Sequence, residues 1–208
     1  MEARVIQTAQ ELLRSTTSPR ILKKTWNLQT DIGMTCGGEV SFLFEVIKSR
    51  AWKIAVFGAG HVAQALVPLL ATLDCNIECI DPRQEWLDKM PEFPNLRKHL
   101  ALTPSTLVVE LPPDTFIVSI TQGHAHDVPI LEEALKKEKP FPFVGVIGSK
   151  QKGNRIKNEL LQKGVATARL ESLHCPIGLD IGTNSPVEIA ISIAAELLQV
   201  RGNIWKAP

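Results

Sequence analysis

The apolar residues of this chain fall into two kinds of pattern. Short apolar runs stand at 54–57 (Ile54-Ala55-Val56-Phe57), 116–120 and 143–147, interrupted only by Ser119 and Gly145. Runs of this length and shape predict strands buried on both faces, as in a parallel sheet. A further strand is predicted at 76–80, ending on Asp81. Helical spacing fills the intervals at 61–73, 128–137 and 150–163. A last short strand is expected at 166–170, and the proline-bearing stretch 91–111 has no clear period. Residues 185–200 predict a well-marked helix. Ser185 suits the N-cap, Pro186 the first helical position, and Glu188 completes a capping box. Apolar residues from Val187 to Leu198 nearly encircle it, so it should be largely buried, and Gly202 should end it.

The first fifty residues read differently. Helical spacing at 2–14 places Val5, Ile6, Ala9, Leu12 and Leu13 on one side, and Ser15 to Pro19 breaks it. A strand is predicted at 20–26 and a turn at 33–38. Alternation follows at 39–46, with Val40, Phe42, Phe44 and Val46 on one face and Ser41, Leu43, Glu45 and Ile47 on the other. The organisation expected is a small N-terminal α+β lobe, 1–51, and a Rossmann-like three-layer α/β domain with a parallel sheet, 52–208. The strands at Ile54 and Phe116 should be central and parallel.

One segment of the second domain carries chemistry. Gly58-Ala59-Gly60-His61-Val62-Ala63 follows the strand at 54–57 and opens the helix, matching Gly-x-Gly-x-x-Gly/Ala, and Asp81 lies about 20 residues further on. Gly58 permits a tight turn, Gly60 lets the backbone approach a phosphate, and Ala63 lets the helix lie close to the strand. The free N–H groups at His61 and Val62, with the positive end of the helix dipole, suit an anion.

Composition narrows the partners. The 208 residues carry 23 basic and 22 acidic side chains, a balance that argues against a general nucleic-acid binder. No apolar run is long enough to span a membrane, and the first residues lack the apolar core of a signal peptide. Cys36, Cys75, Cys79 and Cys175 form no Cys-x-x-Cys pair and no zinc spacing, which points to a reduced, cytoplasmic setting. Cys75 and Cys79 flank a predicted buried strand and are expected to be core residues.

Further loops follow predicted strands, where ligands of an open parallel sheet bind. Thr121-Gln122-Gly123-His124-Ala125-His126-Asp127 offers His124, His126 and Asp127 for a metal or for proton transfer; alternatively Asp127 simply caps a helix. Gly148-Ser149-Lys150, with Lys152 and Arg155 behind it, is either a second anion cradle or a capped helix with a solvated basic face. The irregular stretch 174–182, with Pro176, Gly178, Asp180 and Gly182, leads into the last helix and alone would read as a structural crossover. Cys36, beside Gly37 and Gly38, is accessible enough to be a thiolate ligand or sulfur carrier, and could equally be a buried cysteine in a hairpin turn.

Taken in order, Met34-Thr35-Cys36-Gly37-Gly38, the Gly58–Ala63 turn with Asp81-Pro82-Arg83, the loop 121–127, Val146-Ile147-Gly148-Ser149-Lys150 and Pro176-Ile177-Gly178-Leu179-Asp180-Ile181-Gly182 resemble the XdhC/CoxI family over nearly the whole chain. These are accessory proteins of molybdenum hydroxylases such as xanthine dehydrogenase and carbon monoxide dehydrogenase. The glycine turn is common to many folds; the Cys-Gly-Gly motif and the 176–182 loop are far more specific. The resemblance implies a chaperone rather than an enzyme. It would bind the molybdenum cofactor, as molybdopterin or its dinucleotide form, protect it during exchange of an oxo for a sulfido ligand, and hand it to the hydroxylase apoenzyme. A cysteine desulfurase is an expected partner. The cofactor's anionic end would meet Gly58, Gly60, His61, Val62, Asp81 and Arg83, or Gly148, Ser149 and Lys150. Thr121, His124, Gly178 and Asp180 complete the expected contacts, and Cys36 would ligate the metal. The family has an upstream segment ending in a Gly-Gly-Gly-Cys-like sequence just before the equivalent of Glu2. A helix from Glu2 without that cover is expected to pair in a homodimer or against a partner chain.

Two other readings share these residues. An NAD(P)-dependent oxidoreductase would use the same turn, with Asp81 on the ribose hydroxyls and His124 as acid or base; Arg83 would favour an extra phosphate. A metal-dependent hydrolase would rest on His124, His126 and Asp127.

Overall fold

The computed structural model describes residues 1–14, 21–33, 35, 37–46 and 52–206, and the chain divides into two compact units, Met1–Arg50 and Ala51–Pro208. In the first, helix α1 (Glu2–Arg14) precedes an antiparallel hairpin of β1 (Ile21–Asn27) and β2 (Glu39–Glu45). The alternation along β2 is present: Val40, Phe42 and Phe44 are half-buried, while Ser41, Leu43 and Glu45 face solvent. Trp26 joins that face, with ring centroids 5.3 Å from Phe42 and 6.3 Å from Phe44. Cross-strand aromatic pairs are what a short hairpin has in place of a large core. On α1 the buried residues are Thr8 and Leu12, one helical turn apart, and Ile6 is exposed. The buried stripe is therefore rotated away from the one that included Ile6. The side chain of Leu13, Met34 and Cys36 lie outside the described residues.

The second unit runs β3 (Trp52–Phe57), α2 (His61–Ala71), β4 (Cys75–Asp81), α3 (Gln84–Asp88), β5 (Leu96–Leu100), a 3-10 segment (Pro104–Glu110), β6 (Thr115–Ser119), α4 (His124–Lys136), β7 (Phe143–Val146), α5 (Lys150–Gln162), α6 (Thr167–Glu171), β8 (Leu173–His174) and α7 (Pro186–Lys206). All pairings are parallel, in the order β5-β4-β3-β6-β7-β8. That is the doubly wound order, which reverses direction between β3 and β6. Because side chains alternate across a strand, the apolar run of β3 feeds two cores. Ile54 and Val56 pack with α2, Leu87 and Met90 of the α3 region, and α7. Ala55 and Phe57 pack with Val108 of the 3-10 segment, with α4 and α5, and with Leu170 of α6. Helices thus cover both faces, making three layers.

Several elements depart from the sequence pattern. Residues 166–170 are not a strand: α6 occupies most of them, and the sheet's last strand is the two-residue β8. Only Leu170 of that stretch is buried, so no period constrained it. Helix α4 starts four residues before the expected position, with the N–H groups of His126 and Asp127 bonding the Gly123 carbonyl. Pro129 therefore sits inside the helix. The bond it forfeits would have gone to Ala125, and both residues are exposed, so water can take the carbonyl. Helix α7 continues through Gly202 to Lys206. The guanidinium of Arg201 lies 4.4 Å from the Trp52 ring and 5.0 Å from that of Trp205, contacts that offset a mid-helix glycine penalty of about 1 kcal/mol. This helix is amphipathic rather than enclosed: Ile193 and Leu197 are fully buried, Val187 and Ile191 about half exposed. Its capping is also one-sided. The Ser185 hydroxyl accepts the Glu188 N–H at 3.3 Å, but the Glu188 carboxylate accepts from the backbone and hydroxyl of Thr183.

Cys75 and Cys79 are core residues. Burial pushes their thiols up, Cys75 to about 11 and Cys79 to about 12, with Asp81 adding to the shift at Cys79. Neither should react with iodoacetamide at pH 8 in the folded protein, and both should do so in urea. Cys79→Ser should cost about 1–3 kcal/mol in a denaturant melt, through a buried hydroxyl with no apolar compensation. Rapid alkylation of either thiol in the native state would contradict this placement.

Candidate functional site

The reversal of strand order between β3 and β6 opens a crevice at their carboxyl ends. Three hollows of about 20, 340 and 480 Å³ lie along it and meet at Gln122, which lines all of them. The crevice runs from Trp86 and Arg83, past the glycine turn, to Lys152 and Arg155.

The two glycines of the turn have different jobs. Gly58 has φ +109°, and a Cβ on it would lie 2.5 Å from the carbonyl oxygen of Ile120. Its smallness lets the end of β3 back directly onto the end of β6. Gly60 has ordinary backbone angles and, among the described residues, nothing within 4 Å of a would-be Cβ. It faces open crevice at the N-terminus of α2, which has no side-chain cap, so the first amides of that helix are available to an anion.

Asp81 is 1 % exposed and turned inward. One carboxylate oxygen accepts from the Ala59 N–H at 2.7 Å and from Nη2 of Arg83 at 2.8 Å. The other accepts from the N–H of Arg83 at 2.9 Å and from its Nε at 2.8 Å. Four lone-pair sites meet four donors, so no acceptor is left for a ribose hydroxyl. Burial alone would raise the carboxyl's pKa; the Arg83 fork and the two backbone N–H groups outweigh it, and the pKa falls below the ordinary value. Arg83 in turn lines the crevice and lies 5.1 Å from the centre of the Trp86 ring, against which His61 packs edge-on.

The other half is organised by a second buried carboxylate. Asp127 is 0 % exposed. It is no cap; Gly123 holds that position. One oxygen accepts from the hydroxyls of Ser119 and Thr121, each at 2.8 Å, and the other from Nζ of Lys152 at 2.6 Å. Lys152 also donates to the Ile147 carbonyl at 2.9 Å. Its stem passes where a side chain on Gly148 would stand, 2.5 Å from a would-be Cβ. Ser149 caps α5 by accepting the Lys152 N–H at 3.2 Å. Lys150 is exposed and does not line the hollows; Lys152 and Arg155 do. His124 lines the largest of the three hollows, with Nε2 2.6 Å from the Glu159 carboxylate, while its Nδ1 is buried with no hydrogen-bond partner among the described residues. His126 borders the smallest hollow. The three residues proposed for a metal therefore point three ways, and among the described residues no group of three His, Cys, Asp or Glu could hold one.

Gly178 belongs to the scaffold. Its N–H donates to Glu196 of α7 at 2.6 Å, and with φ +102° a Cβ would meet the Ser192 hydroxyl at 2.3 Å. Glu196 also holds His174, at 2.7 Å. Asp180 is exposed and lines none of the three hollows. Cys36 lies outside the described residues; its neighbours Thr35 and Gly37 are exposed. The residues that sequence reasoning passed over are Trp86, Gln122, Glu196 and the Asp127–Lys152 pair. Their only signal was position: each sits within a few residues of a strand's carboxyl end or on a helix facing it.

Strand order, turn and crevice define a Rossmann-type domain with its opening at the switch point. The XdhC Rossmann domain family matches residues 54–197, and the chain belongs to it. It is 31 % identical over 209 residues to protein YqeB of Escherichia coli K12, covering 98 % of this chain and 37 % of that one. It is 27 % identical over 155 residues to a Bacillus subtilis protein named as a probable xanthine dehydrogenase subunit, covering 73 % of this chain and 44 % of the relative. The chain thus spans less than half the length of these relatives. A crystal structure described as a xanthine dehydrogenase from Bacillus halodurans superposes with TM-score 0.61 at 26 % identity, over 79 % of this chain and 46 % of that one. Among the described residues no helix is long and apolar enough to cross a membrane.

The glycines separate stability from binding. Gly58→Ala should cost at least about 2 kcal/mol, through positive φ and a backbone clash. Gly60→Val should leave the melting temperature within about 2 °C, since nothing occupies that space, yet weaken ligand binding measured by calorimetry. Unchanged affinity in Gly60→Val would place the ligand elsewhere. The depressed pKa of Asp81 contributes stability that is present above the ordinary aspartate value of 3.8 and lost as the pH falls through the lower folded value. Asp81→Asn should remove that contribution at pH 7, and the gap between variant and parent in a urea melt should narrow below about pH 4.

Proposed function

We propose that this chain is an accessory protein of the xanthine dehydrogenase system, binding the molybdenum cofactor by its anionic end and delivering it to the hydroxylase apoenzyme. The observation that carries this reading is the open space at Gly60 beneath the uncapped start of α2, which fits a phosphate of the cofactor. The relatives and the family membership support the link to that enzyme system. His61 and Val62 supply amides, Arg83 and Lys152 supply fixed donors, and the Thr121–Gln122 turn divides the crevice between them. The bound cofactor's molybdenum centre is what the client uses for substrate oxidation. This chain's residues bind, orient and shield it. Sulfur supply by a cysteine desulfurase, a reduced cytoplasmic setting and a homodimer belong to the same reading. NAD as ligand is disfavoured by Asp81, whose acceptor sites are filled.

Cys36 is the soft donor in this reading, suited to the metal end of the cofactor. Cys36→Ser should keep affinity for the phosphate end but lose molybdenum, measured by elemental analysis of the protein purified from a cofactor-producing host. Client hydroxylase activity in the cell should fall with it. A variant that retains metal and delivers cofactor like the parent would remove Cys36 from the site and leave the chaperone role resting on the crevice alone.

A further inference from the structure

The second unit has a further hollow at the other end of its sheet. The crossover from β5 to β6 is made by a seven-residue 3-10 segment in place of an α-helix. At 2 Å per residue that segment is about 14 Å long, shorter than the roughly 20 Å of a six-residue strand such as β3. The amino ends of β3, β4 and β6 are left uncovered on that face, around a space of about 280 Å³. The strand register sets its floor. Thr115, Lys53 and Asn76 are neighbours across β6, β3 and β4, so they share one face and one level. Glu78 stands on the same face two residues further along β4, a rise of about 7 Å, beside Arg97 of β5. Pro94 and Asn95 form one wall, Leu111 and Pro112 the other. Both walls are tied to the sheet. Asn95 Nδ2 donates to the carbonyls of Ala71 at 3.2 Å and Cys75 at 2.9 Å, and the Thr115 N–H donates to the Pro112 carbonyl at 3.1 Å.

The two levels of the floor differ in what they leave open. Lys53 Nζ gives two donors to Asp114, at 2.9 and 3.0 Å, and its third has no partner among the described residues. The Thr115 hydroxyl is buried with no partner among the described residues, which leaves this level one hydrogen-bond partner short. At Glu78 one oxygen meets Nε2 of His99. The other is 3.9 Å from Nη1 of Arg97, beyond hydrogen-bond reach. From these placements we infer that the hollow binds a small zwitterion, an α-amino acid with a compact apolar side chain. Its carboxylate accepts from Lys53, and its ammonium donates to the open oxygen of Glu78, one pleat away. Its side chain lies against Leu111, Pro94 and Pro112. The charges of Lys53, Arg97, Glu78 and Asp114 already balance, so a zwitterion enters without leaving a charge unpaired. A simple anion would meet Glu78, and a simple cation Lys53. The site is separate from the crevice, which opens at the carboxyl ends of the same strands, and it does not rest on the cofactor reading.

The test uses L-leucine and its two halves on the full chain: 4-methylpentanoate, which lacks the ammonium, and 3-methylbutylamine, which lacks the carboxylate. In a nitrogen-15 NMR titration L-leucine should shift the amides of Asn76, Glu78, Asn95 and Arg97 and saturate in the millimolar range. Each half should bind at least about fivefold more weakly. The variants should cross over. Glu78→Gln should weaken L-leucine about fivefold while leaving 4-methylpentanoate within about twofold, and Lys53→Gln should weaken L-leucine while leaving 3-methylbutylamine within about twofold. A merely structural role for either side chain would weaken all three ligands alike. Circular dichroism melts check that both variants remain folded, and the comparison of the three ligands on the parent needs no variant. The assignment is overturned by the absence of a saturable shift at about 20 mM L-leucine, by shifts centred on the Gly60 or Lys152 side of the molecule, by halves that bind as tightly as the whole, or by variants that lose all three ligands equally.

Discussion

The carboxylate of Asp81 ties together the parts on which the crevice depends. It ends β4, binds the amide of Ala59 in the glycine turn, and locks Arg83 at the rim. A buried ion pair is weak evidence for net stability, since desolvation consumes most of the attraction, but removing one partner is costly. Its value here is positional. The turn between β3 and α2 has no side-chain cap and a glycine at its open face. Without the Asp81 anchor that backbone would have little to hold its amides toward a ligand.

The same device appears on the other side of the switch point. Asp127, also fully buried, collects two hydroxyls from the β6 end and the ammonium of Lys152. Each half of the crevice therefore has a cation oriented by a buried aspartate. Gly58 and Gly148 make the arrangement physically possible. The first lets two strand ends meet, and the second clears the path of the lysine stem. The proposed accessory role would ask the protein to hold an anionic, many-acceptor ligand firmly without reacting with it. Preorganised donors at a rigid rim suit that task.

Much of the frame is legible in the sequence. Short, mostly apolar runs identify β3, β6 and β7, because a strand covered on both faces shows no polar alternation. The Gly58–Asp81 spacing identifies the turn and its acid. The short elements were not legible: α3, α6 and β8 hold two to five residues each, too few for a period to declare itself. Site chemistry was misjudged where a side chain's direction mattered. Asp81 looked like a ligand for ribose and proved to be a clamp. Asp127 looked like a cap and proved to be a buried counter-ion, and Gly178 proved to be pinned by Glu196. Linear spacing places such residues near a strand end but does not say whether they face the crevice or the core. In the sequence Lys152 is one of several basic residues, because its partner lies 25 positions away.

The most direct test of the account is the identity of what the protein carries. The full chain, purified without reducing or chelating treatment from a host that makes the molybdenum cofactor, should be oxidised to release any bound pterin. The account predicts the characteristic pterin fluorescence together with molybdenum, both depleted in protein bearing Gly60→Val. Protein that carries NAD(P) instead, or that carries the pterin equally well with Gly60→Val, would contradict it.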